Sequence, residues 1–163
     1  MRPTLTRTPS RLQAELKRKK GFRSPQQEGV LGIVRTADLI RRRFSQVVEP
    51  HGISGQQYNV LRILRGAAPE ALPTLTIAER MIERTPGITR LLDRLERKGL
   101  VGRERCASDR RQVLCEVTRQ GLALLKKLDG PIGRADDEAL GGISGADLKA
   151  LISILDAVRE HHT

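Results

Sequence analysis

With 163 residues the chain is long enough for one well-packed domain, and it is strongly basic, since 30 Lys plus Arg against 19 Asp plus Glu give a net charge of +11. No run of about 18 uncharged apolar residues could span a membrane, and no apolar segment follows the basic N-terminus as in a secretory signal, so we expect a cytoplasmic protein without a membrane partner. Two cysteines and three histidines predict neither a disulfide framework nor a metal site, and no cofactor is expected.

The basic charge is concentrated in two parts of the chain. Residues 1–27 carry eight basic and one acidic side chain, a net charge of +7, and residues 54–121 add +5, whereas residues 122–163 contribute −2. A nucleic acid is the natural partner of such a charge distribution. Because the chain has two phenylalanines, one tyrosine and no tryptophan, unpaired bases would find few rings to stack on. The composition therefore favours duplex DNA over single strands.

The first half of the chain predicts helices. Residues 11–20 favour a short basic helical segment, and apolar residues at helical spacing over residues 26–48 predict one long amphipathic helix. Ser54 is a suitable N-cap for the next helix, in which Tyr58 is expected to face the core. After a proline-containing loop at residues 67–74 a short third helix is expected, with apolar positions at Ile77, Ala78, Met81 and Ile82.

A fourth helix and a hairpin come next. Proline suits the first helical position, so Pro86 directly after Thr85 predicts that the fourth helix starts there, and Gly99 is expected to end it. Residues 101–106 and 113–117 alternate with period two, which indicates two strands. The polar residues between them are expected to form the tip of the hairpin.

The last part of the chain predicts two more helices. Thr118 opens the first, which Gly130 and Pro131 could kink or break, and Ser144 caps the second. Residues 28–50 and 144–160 each carry an apolar stripe that a small DNA-binding core does not need. Packing both stripes across a two-fold axis would bury them, and symmetric dimers are the commonest assembly.

A short helix, a second helix and a two-stranded hairpin follow one another in the order of a winged helix-turn-helix. The residues around them resemble the MarR family of bacterial regulators, over residues 28–162. The motifs that carry the resemblance are QQYNVLRIL, LTIAERM, LERKGLV, and then, after seven residues, Asp109-Arg110-Arg111 followed by Thr118-x-x-Gly121. This combination is specific, whereas a helix-turn-helix pattern alone would be a weak signal.

The resemblance implies a mainly α, α+β fold with a helical dimerisation region built from residues 28–53 and 122–163 and a winged helix-turn-helix DNA-binding domain at residues 54–121. The charge distribution adds a third part, a basic N-terminal arm at residues 1–27. The resemblance also implies a homodimeric, sequence-specific regulator of transcription, a repressor that binds a pseudo-palindromic operator in double-stranded DNA and responds to a small-molecule effector. The charge of the arm leaves open an alternative, a sequence-tolerant architectural DNA-binding protein.

An enzyme is not expected, because the sequence has no Gly-rich phosphate loop, no metal constellation and no convincing pair of nucleophile and base. Cys106 and Cys115 lie in or beside the hairpin strands. Cys115 alternates with Val113 and Val117, which predicts a small buried side chain and not a redox sensor.

Candidate DNA-binding residues lie first on the fourth helix. A major groove about 12 Å wide accepts one α-helix. The apolar face of this helix is expected to be buried, which leaves the side chains of Thr85, Thr89, Arg90 and Arg94 for DNA. Arg90 is the leading base contact, because arginine can donate two hydrogen bonds to guanine. The ordinary alternative is that these arginines pair with acidic residues on a solvated helix surface.

The hairpin supplies the remaining candidates. The resemblance implies that Asp109 orients the wing, that Arg111 enters the minor groove and that Arg110 contacts phosphate. Arg103 and Arg105 on the rising strand are candidate DNA-binding residues and candidate partners of Asp109, and an ordinary charged turn is the alternative. Gly87 departs from the family pattern, because no side chain is available there to contact a base, so neighbouring positions must supply specificity.

Overall fold

Seven α-helices and a three-stranded antiparallel sheet make up the part of the chain that the structure, a computed structural model, describes: residues 10–83, 86–107, 109 and 111–162. The predicted mainly α, α+β class is confirmed. The chain divides into two units, Met1–Arg42 and Arg43–Thr163. None of the described helices is both long and apolar enough to cross a membrane.

The first unit contains helix α1 (Arg11–Glu15) and most of helix α2 (Pro25–Val48). The bounds of α2 confirm the long helix expected at residues 26–48. Leu12 packs against α2, where its Cδ2 lies 3.8 Å from the position that a Cβ on Gly32 would occupy. The carboxylate of Glu15 lies 3.9 Å from Nε of Arg35. These two contacts, one apolar and one ionic, hold α1 on α2, and α1 ends at Glu15, short of the basic helical segment expected at residues 11–20.

The second unit contains the remaining elements. In chain order they are a 3₁₀ turn (Glu49–His51), α3 (Gly55–Ala67), β1 (Leu72–Pro73), α4 (Thr74–Arg80), α5 (Ile88–Arg97), β2 (Val101–Arg105), β3 (Val113–Val117), α6 (Arg119–Leu140) and α7 (Gly145–Glu160). The predicted caps are confirmed. The hydroxyl groups of Ser54, Thr118 and Ser144 each accept a hydrogen bond from a backbone N–H three residues on, at 3.3, 3.1 and 3.2 Å.

The sheet has the strand order β1-β3-β2. β2 and β3 form the predicted hairpin, in register from Val101 opposite Val117 to Arg105 opposite Val113. β1 pairs with the other edge of β3 and places Leu72 opposite Cys115. The sequence does not predict β1, because two residues are too few to show an alternating pattern. Its proline is compatible with an edge strand, where one backbone N–H is not needed for pairing.

The core of the second unit lies between α3, α5, α6 and the sheet. Its most fully buried side chains are Leu61, Leu64, Ile77, Leu92, Leu95, Leu125 and Leu128. Tyr58 and Cys115 belong to the same core, as the sequence predicts. Burial raises the pKa of the Cys115 thiol, because a thiolate would lose its hydration there. Cys115 is thus a buried, protonated thiol.

Three details differ from the sequence predictions or resolve them. α5 begins at Ile88, later than Pro86 suggested, because Gly87 has a non-helical φ of 120°. α4 ends at Arg80, so Ile82 lies beyond the helix and is 86% exposed. α6 continues through Pro131 without a break. Ile132 and other core positions on both sides of the proline are buried, and their packing offsets the backbone hydrogen bond that proline cannot make.

Candidate nucleic-acid interface

The helix-turn-helix consists of α4, a turn and α5, and a hydrogen bond from α3 holds the turn. The side-chain oxygen of Asn59 accepts a hydrogen bond of 3.0 Å from the backbone N–H of Ile82. Ile77 of α4 and Leu92 of α5 are both fully buried in the shared core. Sequence reasoning missed Asn59, because a single polar residue on a helix gives no sign of its distant partner. These contacts fix the turn to α3 and anchor α4 and α5 in the same core.

α5 is amphipathic in the way the sequence predicts. Leu91, Leu92 and Leu95 are buried. The side chains of Thr89, Arg90 and Arg94 are exposed. Thr85, the fourth candidate of this region, lies outside the described residues. The structure thus brings three of the predicted contact residues onto the solvent-facing side of one helix, which has the width that a major groove accepts.

The sequence left open that Arg90 and Arg94 pair with acidic side chains on the helix surface, and the described ion pairs of α5 involve another arginine. The ion pairs of α5 join Asp93 and Glu96 to Arg103 of β2, and among the described residues none involves Arg90 or Arg94. Within the described part of the chain the guanidinium groups of Arg90 and Arg94 thus have no carboxylate partner, which suits them to contact a polyanion.

The start of α5 depends on Gly87. Its φ of 120° and ψ of 30° lie in a region that is strained for residues with a Cβ, and its carbonyl oxygen accepts the N–H groups of Arg90 and Leu91 at 2.9 and 3.3 Å. Gly87, the N-cap residue, has no side chain that could cap this end of the helix. The departure from the family pattern at this position thus has a backbone reason, since glycine permits the conformation.

The wing is formed by β2, β3 and the residues between them. One carboxylate oxygen of Asp109 accepts the backbone N–H of Arg111 at 3.0 Å, and the other accepts the side-chain amide of Gln112 at 3.2 Å. The N–H of Gln112 donates to the carbonyl of Asp109 at 2.9 Å. Asp109 thereby ties the tip together, and Arg111 is exposed on it. Arg110 lies outside the described residues, and Gln112 is a second residue that sequence reasoning missed.

The two strand arginines differ in their surroundings. Arg105 is exposed. Arg103 does not lie on Asp109: its guanidinium donates to Asp93, and its Nε lies 3.5 Å from a carboxylate oxygen of Glu96. The hydrogen bond to Asp93 raises the pKa of Arg103 above its ordinary value. Arg103 therefore connects β2 to α5, so that wing and helix are fixed relative to each other.

Comparisons with known proteins agree with this geometry. A sequence model of the MarR family matches residues 53–113. The crystal structure of a MarR transcription factor from Planctomyces limnophilus has 39% sequence identity and a TM-score of 0.66, and the match covers 84% of this chain and 99% of that one. A mutant MarR from E. coli complexed with operator DNA has 25% identity and a TM-score of 0.71, with 77% of this chain and 89% of that chain covered.

A third structure is similar in fold. It is Bordetella bronchiseptica BpsR, from work on the regulation of its DNA binding by 6-hydroxynicotinic acid. BpsR has 22% sequence identity and a TM-score of 0.73, and the match covers 82% of this chain and 98% of that one.

Proposed function

The chain belongs to the MarR family of DNA-binding transcriptional regulators, and from this premise we propose that it is a homodimeric repressor that binds a pseudo-palindromic operator and is released by a small-molecule ligand. One observation carries the DNA-binding part of the proposal. Arg90 and Arg94 are exposed on α5 without a carboxylate partner among the described residues, beside a wing that presents Arg111.

The proposed contacts divide between two grooves. α5 enters the major groove, where Thr89 and Arg90 in its first turns meet base edges and Arg94 meets a phosphate. The wing brings Arg111 to the adjacent minor groove, where a narrow groove concentrates negative potential and attracts a cation. Arg105, at the end of β2, contacts the sugar-phosphate backbone of the DNA. Arg103 acts indirectly, through its hold on α5.

The proposed dimer uses apolar side chains that a single chain leaves exposed. On α2 these are Val30, Ile33, Val34 and Leu39, and on α7 they are Ile152, Ile154 and Val158. Exposed apolar stripes on two long helices are typical of a surface that is covered by a partner. A second copy of the chain is the proposed partner, because a two-fold axis would also duplicate α5 in the arrangement that an inverted repeat requires.

Repression and ligand response are the finer parts of the proposal. A dimer that covers an operator overlapping a promoter excludes polymerase, and a ligand that binds the DNA-free form more tightly shifts the population away from DNA. The structural relative BpsR, whose DNA binding is regulated by 6-hydroxynicotinic acid, supports a small molecule as the ligand.

Selection of bound sequences from a random duplex library tests the proposed function. We expect an inverted repeat whose half-site centres are about 10 base pairs, one helical turn, apart or a multiple of that. Arg90→Ala should relax base preference within each half-site, while Arg62→Ala on α3 serves as a control outside the proposed interface. Light scattering should give about twice the 18.1 kDa chain mass. Equal affinity for selected and random duplexes would favour the architectural alternative, and a monomer that binds DNA tightly would contradict the dimer.

A further inference from the structure

The connection between α1 and α2, at residues 17–23, carries a concentrated positive charge. Five of its seven residues are basic and none is acidic. All five basic side chains are exposed: Lys17, Arg18, Lys19, Lys20 and Arg23. We call this segment the arm loop. It belongs to the first unit, so the contacts proposed for the helix-turn-helix and the wing leave its charge without a function.

The arm loop is held by contacts along its length. At its start the backbone N–H of Arg18 donates to the carbonyl of Gln13 at 3.1 Å. The guanidinium of Arg18 lies 4.9 Å from the centre of the Phe22 ring. At its end the backbone N–H of Arg23 donates to the side-chain oxygen of Gln27 at 2.8 Å. A loop held in this way loses less conformational entropy on binding than a flexible tail with the same charges.

Within the described part of the chain no carboxylate neutralises the arm loop. Residues 1–27 contain one acidic residue, Glu15, whose carboxylate oxygens lie 3.2 Å from Nε of Arg11 and 3.9 Å from Nε of Arg35. The ion pairs of the described residues include none of the five cations of the arm loop. Five uncompensated positive charges within seven residues attract a polyanion.

The apolar side chains around this charge indicate which polyanion fits. Phe22 is half-buried and lies under Arg18, so it offers little surface on which an unpaired base could stack. Leu12, the one large apolar side chain of α1, packs on α2 and is not available for insertion into a membrane surface. The phosphates of a duplex require only exposed cations, and the chain belongs to a DNA-binding family.

We propose that the arm loop is a second DNA-binding site, which contacts the phosphates of duplex DNA through Lys17, Lys19, Lys20 and Arg23 and does not read bases. Because the site is covalently joined to the winged helix-turn-helix, its contacts add to the affinity of the whole chain for DNA. The inference goes beyond the proposed function, since it holds for a duplex of any sequence and does not depend on repression, operator symmetry or a small-molecule ligand.

Salt titrations of the full-length protein test the proposal with two duplexes, one selected from the random library and one of random sequence. The arm-loop variant combines Lys19→Gln and Lys20→Gln, and the matched control combines Lys126→Gln and Lys149→Gln, two exposed lysines of α6 and α7. In the arm-loop variant the slope of log K against log salt should flatten by about 0.9 for each lost phosphate contact, on both duplexes. Affinity at about 0.1 M salt should fall roughly three- to tenfold on each, so that their ratio is unchanged. The control should keep the wild-type slope.

An unchanged slope in the arm-loop variant would overturn the proposal. Equal flattening in both variants would also overturn it, because the effect would then follow from net charge alone. A loss confined to the selected duplex would make the arm loop a base-reading element instead. Vesicles of phosphatidylserine and phosphatidylcholine are titrated in parallel, and vesicle binding that is lost in the arm-loop variant, with an unchanged DNA slope, would assign the charge to a membrane surface. If no sequence is selected from the library, the proposed function fails, whereas the random duplex still measures the contribution of the arm loop.

Discussion

Replacing Arg103 by methionine tests how the wing is held against α5. The guanidinium of Arg103 on β2 donates to Asp93 and lies 3.5 Å from Glu96, both on α5. Methionine keeps a long apolar stem and removes the charge and the hydrogen bond to Asp93. The substitution should therefore loosen the wing without opening a large cavity in the core.

The expected loss of stability in Arg103→Met depends on how exposed Arg103 and its two acidic partners are to water. A hydrogen bond to a charged group contributes about 1.5–3 kcal/mol when it is shielded from water, whereas fully exposed ion pairs contribute about 0–1 kcal/mol. The side chain of Arg103 is 21% exposed, but those of Asp93 and Glu96 are each 45% exposed, which places this contact between the two cases. We expect a loss of about 1–2 kcal/mol in the free energy of unfolding, or about 2–8 °C in Tm.

Thermal unfolding of Arg103→Met, Asp93→Asn and the double variant measures the contact directly. The double variant should lose less stability than the sum of the two single variants, because the same interaction is removed twice. Arg105→Met is the control, since Arg105 lies two residues along the same strand and is exposed. Additive losses, or a wild-type Tm for Arg103→Met, would show that the contact between Arg103 and Asp93 does not stabilise the fold. An unchanged Tm with weaker DNA binding would make Arg103 a direct DNA contact.

Three further predictions concern the wing, the arm and the start of α6. Arg111→Ala should weaken operator binding by about 1–3 kcal/mol per wing in gel-shift titrations and leave Tm unchanged, and wild-type affinity would contradict the wing assignment. Deletion of residues 1–25 should flatten the dependence of log K on log salt by about 0.9 for each lost phosphate contact. An unchanged slope with a lower Tm would assign the arm a purely structural role. Gly121→Ala should destabilise the fold by about 1–3 kcal/mol, because a Cβ there would lie 2.8 Å from Cγ2 of Val117 and closer still to the carbonyl of Leu100. Gly133→Ala on the same helix has open space and should stabilise by up to about 1 kcal/mol in urea unfolding, so similar effects of the two changes would refute the steric argument.

The sequence predicts the helices well because their signals are local. Ser54 and Ser144 satisfy backbone N–H groups three residues on, and this requirement is visible in a few consecutive residues. The continuity of α6 is different. Pro131 is a local signal for a break, and it is outweighed by burial on both sides, which depends on neighbouring elements that the local pattern does not contain.

The candidate site shows the same division between local and distant causes. The amphipathic pattern of α5 was enough to place Arg90 and Arg94 on its exposed side. It could not choose a partner for Arg103, because Asp93, Glu96 and Asp109 are all acids within ten residues of it in the sequence. The choice depends on the packing of β2 against α5, which brings the first two acids to Arg103 while Asp109 is occupied with the backbone of the wing tip.

The arginines around α5 differ in their partners: Arg103 pairs with two carboxylates, whereas Arg90 and Arg94 have none among the described residues. Arg103 is already neutralised by Asp93 and Glu96 and would gain less from a phosphate. Contact with DNA would first require its hydrogen bond to Asp93 and its ion pair with Glu96 to be broken. Arg90 and Arg94 face no such cost, because the acids nearest to them on α5 are the ones that Arg103 engages. The contacts of Arg103 with Asp93 and Glu96 thus have two consequences. They fix the wing against α5, and they keep the carboxylates of α5 from neutralising the side of the helix proposed to meet DNA. Arg103→Met should therefore lower operator affinity more than the lost stability alone would suggest, because it also releases Asp93 and Glu96 toward the neighbouring arginines.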